Sequence, residues 1–341
     1  MNMTHAKVPG YDRRPSGVYV PNAELMKAAL EKAKIPADKK IRYLPQDNEI
    51  GSLDIARKTG HAALLVGPTG VGKSMLTRFM AQRLGLPYLY ITCDPDATRS
   101  NMTGHENVIF TQTDGGAEMR VQQFMQSNVS IAAMCGQPVV LLIDEFHKLR
   151  PGLDAIFYPI AHERELNLSG ILGPGEIYQF HPESLIVFAL NPYYQNGGIE
   201  KVDQAMRQRL QTIHLGMISN ETKLLDIVMA NVPGADLHRG ILEEICKLCA
   251  GLCRVFEAYR NKTAAEKRDA DLIMRIEQHL TAINEAPSPR LLVRTAECIV
   301  AGQDPQHAMK QNIFSAITDD LGPTVTALAS IATARLNPGS P

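Results

Sequence analysis

From Gly60 to Leu215 the chain alternates short unbroken apolar runs with longer stretches in which apolar residues recur every three or four positions. The runs Ala62–Val66, Tyr88–Thr92, Val139–Ile143, Leu185–Leu190 and Thr212–Leu215 predict strands buried on both faces, as in a parallel sheet. Between them Ser74–Leu84, Gln122–Met134 and Gly152–Ala161 read as helices. Strand and helix in alternation predict a doubly wound α/β domain. After Ser219 the strand-like runs stop. Glu221–Asn231, Gly240–Arg260, Lys267–Glu285, Pro289–Ala301 and Asp304–Ala316 carry helical periodicity, and Gly322–Ala334 is a further candidate. They predict a second, all-helical domain. Residues 1–20 read as an irregular arm, Asn22–Ala33 as a short helix capped by Asn22, and Ile35–Ile50 as a polar connection. The expected bounds are an N-terminal arm and short helix over 1–50, an α/β core over 51–218, a helical domain over 219–335 and a tail over 336–341.

The polar residues that interrupt this pattern sit where α/β sheets bind ligands, at the carboxyl ends of strands. After Ala62–Val66 comes Gly67-Pro68-Thr69-Gly70-Val71-Gly72-Lys73-Ser74, a complete P-loop, and Met75 continues into the next helix. Glycines let the backbone curl so that successive N–H groups face phosphate oxygens, and the helix N-terminus adds a favourable dipole. Lys73 is expected on the β- and γ-phosphates, and the Ser74 hydroxyl on Mg²⁺. A second apolar strand ends in Asp144-Glu145. A P-loop demands a metal-holding carboxylate at such a strand end, so Asp144 is assigned to Mg²⁺ and Glu145 to activation of the attacking water. A third strand ends in Asn191-Pro192, and Asn191 is a candidate for orienting the water or sensing the γ-phosphate.

The remaining composition narrows the picture without adding chemistry. A formal net charge of −1 gives no electrostatic reason for binding nucleic acid or an acidic membrane. No apolar run is long enough to span a bilayer, and the first residues lack a signal-peptide core, which together predict a cytoplasmic protein. Cys246, Cys249 and Cys253 fall on one helical face with Leu242, Ile245 and Phe256. Helical period accounts for that spacing better than a metal site does, since no second cysteine or histidine pair completes one.

Taken together, the P-loop, Ile143-Asp144-Glu145, Ala161-His162-Glu163-Arg164-Glu165-Leu166, Asn191-Pro192-Tyr193-Tyr194-Gln195 and Gln208-Arg209-Leu210, followed by a helical lid, resemble an AAA+ ATPase. Within that class the chain is similar to the MoxR group and more closely to the CbbQ/NorQ/GvpN subgroup, over roughly residues 60 to 300 by motifs in context. The resemblance implies ATP hydrolysis to ADP and phosphate in a homo-oligomeric ring, usually a hexamer. It implies that Arg209 is the arginine finger given to a neighbour's γ-phosphate, with Arg207 as a second contributor. Arg290, at the start of a lid helix, matches the arginine that bridges lid to ATP; Arg294 is an alternative, and Ser288-Pro289-Arg290 is also an ordinary helix start. The resemblance further implies a protein client, remodelled or matured with a von Willebrand factor A-domain adaptor. Hairpin-like inserts at Asn101–Met119 and Asn167–Pro182 are either client-facing or variable surface loops. His147 stands where MoxR proteins often carry asparagine, and it is expected to pack or hydrogen-bond rather than catalyse. The rival reading is a DNA-directed AAA+ motor or loader, which the neutral charge and the non-basic insert disfavour.

Overall fold

A computed structural model describes residues 8–112, 118–192, 204–261, 263, 269–320 and 322–336. The Thr113-Asp114-Gly115-Gly116 turn, the Tyr193-Tyr194-Gln195 motif and the end of the expected tail lie outside the described residues, as does the start of the expected Lys267 helix.

The strands are β1 (Tyr11–Arg13), β2 (Tyr19–Pro21), β3 (Ala62–Val66), β4 (Tyr88–Thr92), β5 (His105–Gln112), β6 (Glu118–Met125), β7 (Val140–Asp144), β8 (Glu165–Asn167), β9 (Ile177–Gln179), β10 (Leu185–Leu190) and β11 (Leu210–His214). By contact the described residues divide into two compact units. The first holds those up to Ile41, Asp47–Val66 and Lys73–His214; the second holds Arg42–Gln46, Gly67–Gly72 and those from Leu215 onward.

The first unit is organised by a five-stranded parallel sheet in the order β11-β3-β10-β7-β4. Every residue of β3 and β10 is buried. That is why these strands read as continuous apolar runs rather than alternating ones. Parallel strands need crossovers, and helices such as Lys73–Leu84 supply them. Behind β7 and β10 the rings of Phe146, Phe157 and Phe188 pack edge to face, with centroids 5.1–6.0 Å apart. Each such pair adds about 1 kcal/mol beyond its burial. Phe146 directly follows the Asp144-Glu145 pair, so this cluster braces the turn that carries the carboxylates.

Two expectations change. The helix expected over Gln122–Met134 begins only at Asn128, because residues Glu118–Met125 form β6, antiparallel to β5 from His105↔Met125 to Gln112↔Glu118. Val121 and Phe124 are its buried anchors, and Ser127 starts the helix with a capping box. The arm is also not wholly irregular: β1 and β2 pair antiparallel around Pro15-Ser16-Gly17, and β2 joins β6 in parallel at Tyr19↔Gln123. That pairing is long-range and leaves little local signature. The insert after β8 closes back on β9, antiparallel, through a helical turn at Ser169–Leu172.

The second unit is built on helices, including Glu221–Asn231, Arg239–Arg260, Ala270–Ile276, Pro289–Val300 and Pro323–Leu336. Cys246, Cys249 and Cys253 are buried in its core. Burial pushes the Cys246 and Cys253 thiols up to about 12, so both stay neutral and behave as small apolar groups. Among the polar groups of this unit, Arg254 donates from Nε and Nη2 to the two carboxylate oxygens of Asp269 at 2.7 and 2.8 Å, and from Nη1 to the Ser219 carbonyl at 2.9 Å. The two side chains are 11% and 5% exposed. Asp269→Ala leaves a buried guanidinium without its carboxylate and is expected to destabilise the protein by about 3–5 kcal/mol. Urea unfolding of the variant measures that loss, and a change within experimental error contradicts it.

Candidate functional site

The carboxyl ends of three adjacent strands, β3, β10 and β7, converge. Register places Val66 beside Leu190, and Ile143 beside Phe188. Asp144, the last residue of β7, and Asn191, directly after β10, therefore stand at the ends of neighbouring strands of the first unit, and sequence separation ceases to matter.

In the first unit the helix that begins at Lys73 carries Ser74 in its first turn, and Ser74 Oγ donates to Asp144 Oδ2 at 2.7 Å. The Lys73 residue is only 7% exposed, which is costly for an ammonium group unless an anion or dipole meets it. Asp144 Oδ1 accepts from the Glu145 N–H at 2.9 Å. Glu145 adopts the left-handed conformation, with φ 56° and ψ 34°. A non-glycine residue there costs on the order of 1–2 kcal/mol, and such outliers cluster at functional sites. The twist ends β7 abruptly and turns the chain into the short helix Phe146–Lys148. Glu145 Oε2 lies 3.4 Å from His147 Nε2 and 3.3 Å from Lys148 Nζ. Asn191 is buried, and its N–H donates to His147 Nδ1 at 3.3 Å. Cys93, beyond the end of β4, is held up at about 12 by burial first and then by the Asp144 charge, which leaves it a neutral thiol.

Arg209 ends the helix Gln204–Arg209. Its Nη1 donates to the Ala205 carbonyl at 2.7 Å, and its guanidinium lies 5.7 Å from the Tyr158 ring centroid. Arg207 is exposed on the same helix.

The glycine-rich stretch belongs by contact to the second unit. A Cβ at Gly70, where φ is +77°, would lie 2.4 Å from Ser288 Oγ and 3.5 Å from Arg290 Cβ. At Gly67 a Cβ would lie 2.4 Å from the Leu215 carbonyl oxygen. Both positions thus need glycine for close approach, and Gly70 for its backbone as well. Arg290 is exposed at the start of the helix Pro289–Val300, next to the loop. The segment Arg42–Gln46 also borders the loop, although it reads in sequence only as a polar connection. A Cβ at Gly72 would lie 3.3 Å from the Tyr43 ring, and Gln46 Nε2 donates to the Val71 carbonyl at 3.2 Å. Lys223 Nζ in turn donates to the Gln46 carbonyl at 2.7 Å. Neither periodicity nor a motif marks this segment.

Residues 62–210 match the AAA domain of the dynein-related subfamily, and residues 249–335 match the CbbQ/NirQ/NorQ C-terminal family. The denitrification regulatory protein NirQ of Pseudomonas aeruginosa is 27% identical over 85% of this chain and 95% of its own length. Protein CbbQ of Hydrogenophilus thermoluteolus is 25% identical over 82% and 89%. The gas vesicle ATPase GvpN2 of Halobacterium salinarum is 24% identical over 62% and 64%. Among the described residues no helix is long and apolar enough to cross a membrane. The sheet order, the P-loop and the two matched segments agree: the chain is an AAA protein with a CbbQ/NirQ/NorQ-type C-terminal domain.

Proposed function

We propose that the chain hydrolyses ATP and couples the reaction, in an oligomeric ring, to remodelling or maturation of a partner protein. The observation that carries the hydrolytic reading is the Ser74 hydroxyl on the Asp144 carboxylate at 2.7 Å, with Glu145 next in the chain. The P-loop N–H groups and Lys73 bind the phosphates, and Glu145 takes a proton from the attacking water. Two hard oxygens within one hydrogen bond of each other suit Mg²⁺, which takes oxygen ligands and keeps several waters. Ser74 and Asp144 would hold it, and there it would neutralise phosphate charge. Asn191 orients the water or senses the γ-phosphate from the neighbouring strand end, and Arg290 links the lid helix to the phosphate loop that it borders.

The AAA assignment favours an oligomer, and an interfacial arginine stabilises charge on the transferring phosphoryl group. Arg209 is assigned this role in the neighbour's site, with Arg207 beside it. Arg209→Ala is expected to keep ATP affinity and lose on the order of 1,000-fold in kcat. Mixed rings check the direction of action: the variant subunit silences its wild-type neighbour, whereas loss confined to its own site excludes a finger in trans.

A formal net charge of −1 favours a protein or complex as client over a nucleic acid. A von Willebrand factor A-domain adaptor is the proposed intermediary. Phosphate release measured with such a protein, and separately with duplex and single-stranded DNA, tests the reading. Stimulation by DNA with tight binding, and none by protein, replaces it with the DNA-directed motor.

A further inference from the structure

His147 takes part in none of these steps, yet it is buried beside the carboxylates. Its side chain is 0% exposed. On one edge of the ring, Nδ1 accepts the Asn191 N–H at 3.3 Å; on the other, Nε2 lies 3.4 Å from Glu145 Oε2. An imidazole that accepts at Nδ1 carries its proton on Nε2, so the proton-bearing edge faces Glu145 at ion-pair distance, without hydrogen-bond geometry to that carboxylate in this structure. Lys148 also reaches Glu145 Oε2, at 3.3 Å, but from a side chain 30% exposed. A long, solvated ammonium group fixes a carboxylate weakly.

We infer that His147 is a positioning residue, tying the Glu145 carboxylate to the end of β10 at Asn191. The inference rests on the reading of Glu145 as general base. Glu145 sits on a twisted residue at the end of β7, and its side chain has rotamer freedom that the backbone does not remove. A buried, proton-bearing ring edge 3.4 Å from Oε2 favours the carboxylate orientation that closes this distance to a hydrogen bond, without pairing away its charge. Since the ring is anchored on the backbone N–H of Asn191, the two strand ends share one reference point. A shift of the Asn191 strand end is then transmitted to the base through a single rigid ring.

Two substitutions separate the two edges. His147→Asn keeps an acceptor near the Nδ1 position and drops the donor toward Glu145. His147→Gln keeps an amide donor near the Nε2 position. His147→Asn is expected to lower kcat roughly 10- to 100-fold, the cost of a misplaced catalytic group, with KM, affinity for a fluorescent ATP analogue and melting temperature unchanged. His147→Gln is expected to recover most of the rate. On a Glu145→Gln background, His147→Asn is expected to cause no further loss, because the group that it positions is gone. Wild-type turnover by His147→Asn overturns the inference. So does a joint loss of rate and melting temperature in both variants, which identifies a packing residue. An active wild-type protein with an additive double variant overturns the inference alone; a wild-type protein that binds ATP without hydrolysing it overturns the hydrolytic reading along with it.

Discussion

Glu145→Gln is expected to bind ATP and to hydrolyse it about 10²- to 10⁴-fold more slowly, the range that a positioned general base contributes. The exchange keeps shape and removes the proton acceptor. The left-handed backbone at φ 56° is no harder for glutamine than for glutamate, so the turn that follows β7 persists. The Ser74–Asp144 contact is untouched, and phosphate binding with it. Single-turnover phosphate release and nucleotide binding, measured on the same sample, check both halves of the expectation. Full turnover removes Glu145 from the catalytic role. Loss of binding and turnover together shows that the substitution disturbs the strand end itself.

Lys73→Ala is expected to remove nucleotide binding. Lys73 is nearly buried at the first turn of the helix Lys73–Leu84, where charge-assisted bonds to a phosphate would be strong because water would not compete for them. Losing one partner of a buried ionic contact costs about 3–5 kcal/mol, and at 1.4 kcal/mol per decade that is at least a hundredfold in affinity. Bound ligand stabilises a fold by RT ln(1 + [L]/Kd), about 2.7 kcal/mol at a hundredfold excess over Kd. The wild-type protein therefore melts higher with ATP, and Lys73→Ala does not. Melting without nucleotide separates this effect from damage to the fold, and an undiminished ATP shift in the variant contradicts the assignment.

The parts of the fold that sequence revealed are those fixed by short-range pattern. Leu185–Leu190 is bounded as its apolar run is bounded, and β3 likewise, because a strand buried on both faces admits no polar residue. Asn22 accepts the Leu25 N–H and caps its helix as its residue type suggests. Where a segment draws its stability from distant partners, the pattern misleads. Gln122–Phe124 reads as the start of a helix, yet it lies between β5 and β2, and Tyr19 pairs with Gln123 across more than a hundred residues. The Arg42–Gln46 segment carries no signal at all, since its place beside Val71 and Gly72 depends on the fold around it.

The candidate site divides the same way. Sequence alone determined which chemical groups stand at the ends of β3, β7 and β10, because an unbroken apolar run marks each buried strand and the polar residue that ends it is read directly. It also determined the order of an α/β core and a helical C-terminal region, since periodicity changes between them. Only the tertiary structure decided that the Ser74 hydroxyl meets Asp144, that Glu145 twists out of its strand, and that His147 stands between Glu145 and Asn191. The physical reason is that hydrogen bonds and ion pairs act over a few ångströms of space. Residues 44 or 70 positions apart in the chain reach that distance only once the parallel sheet has set its register.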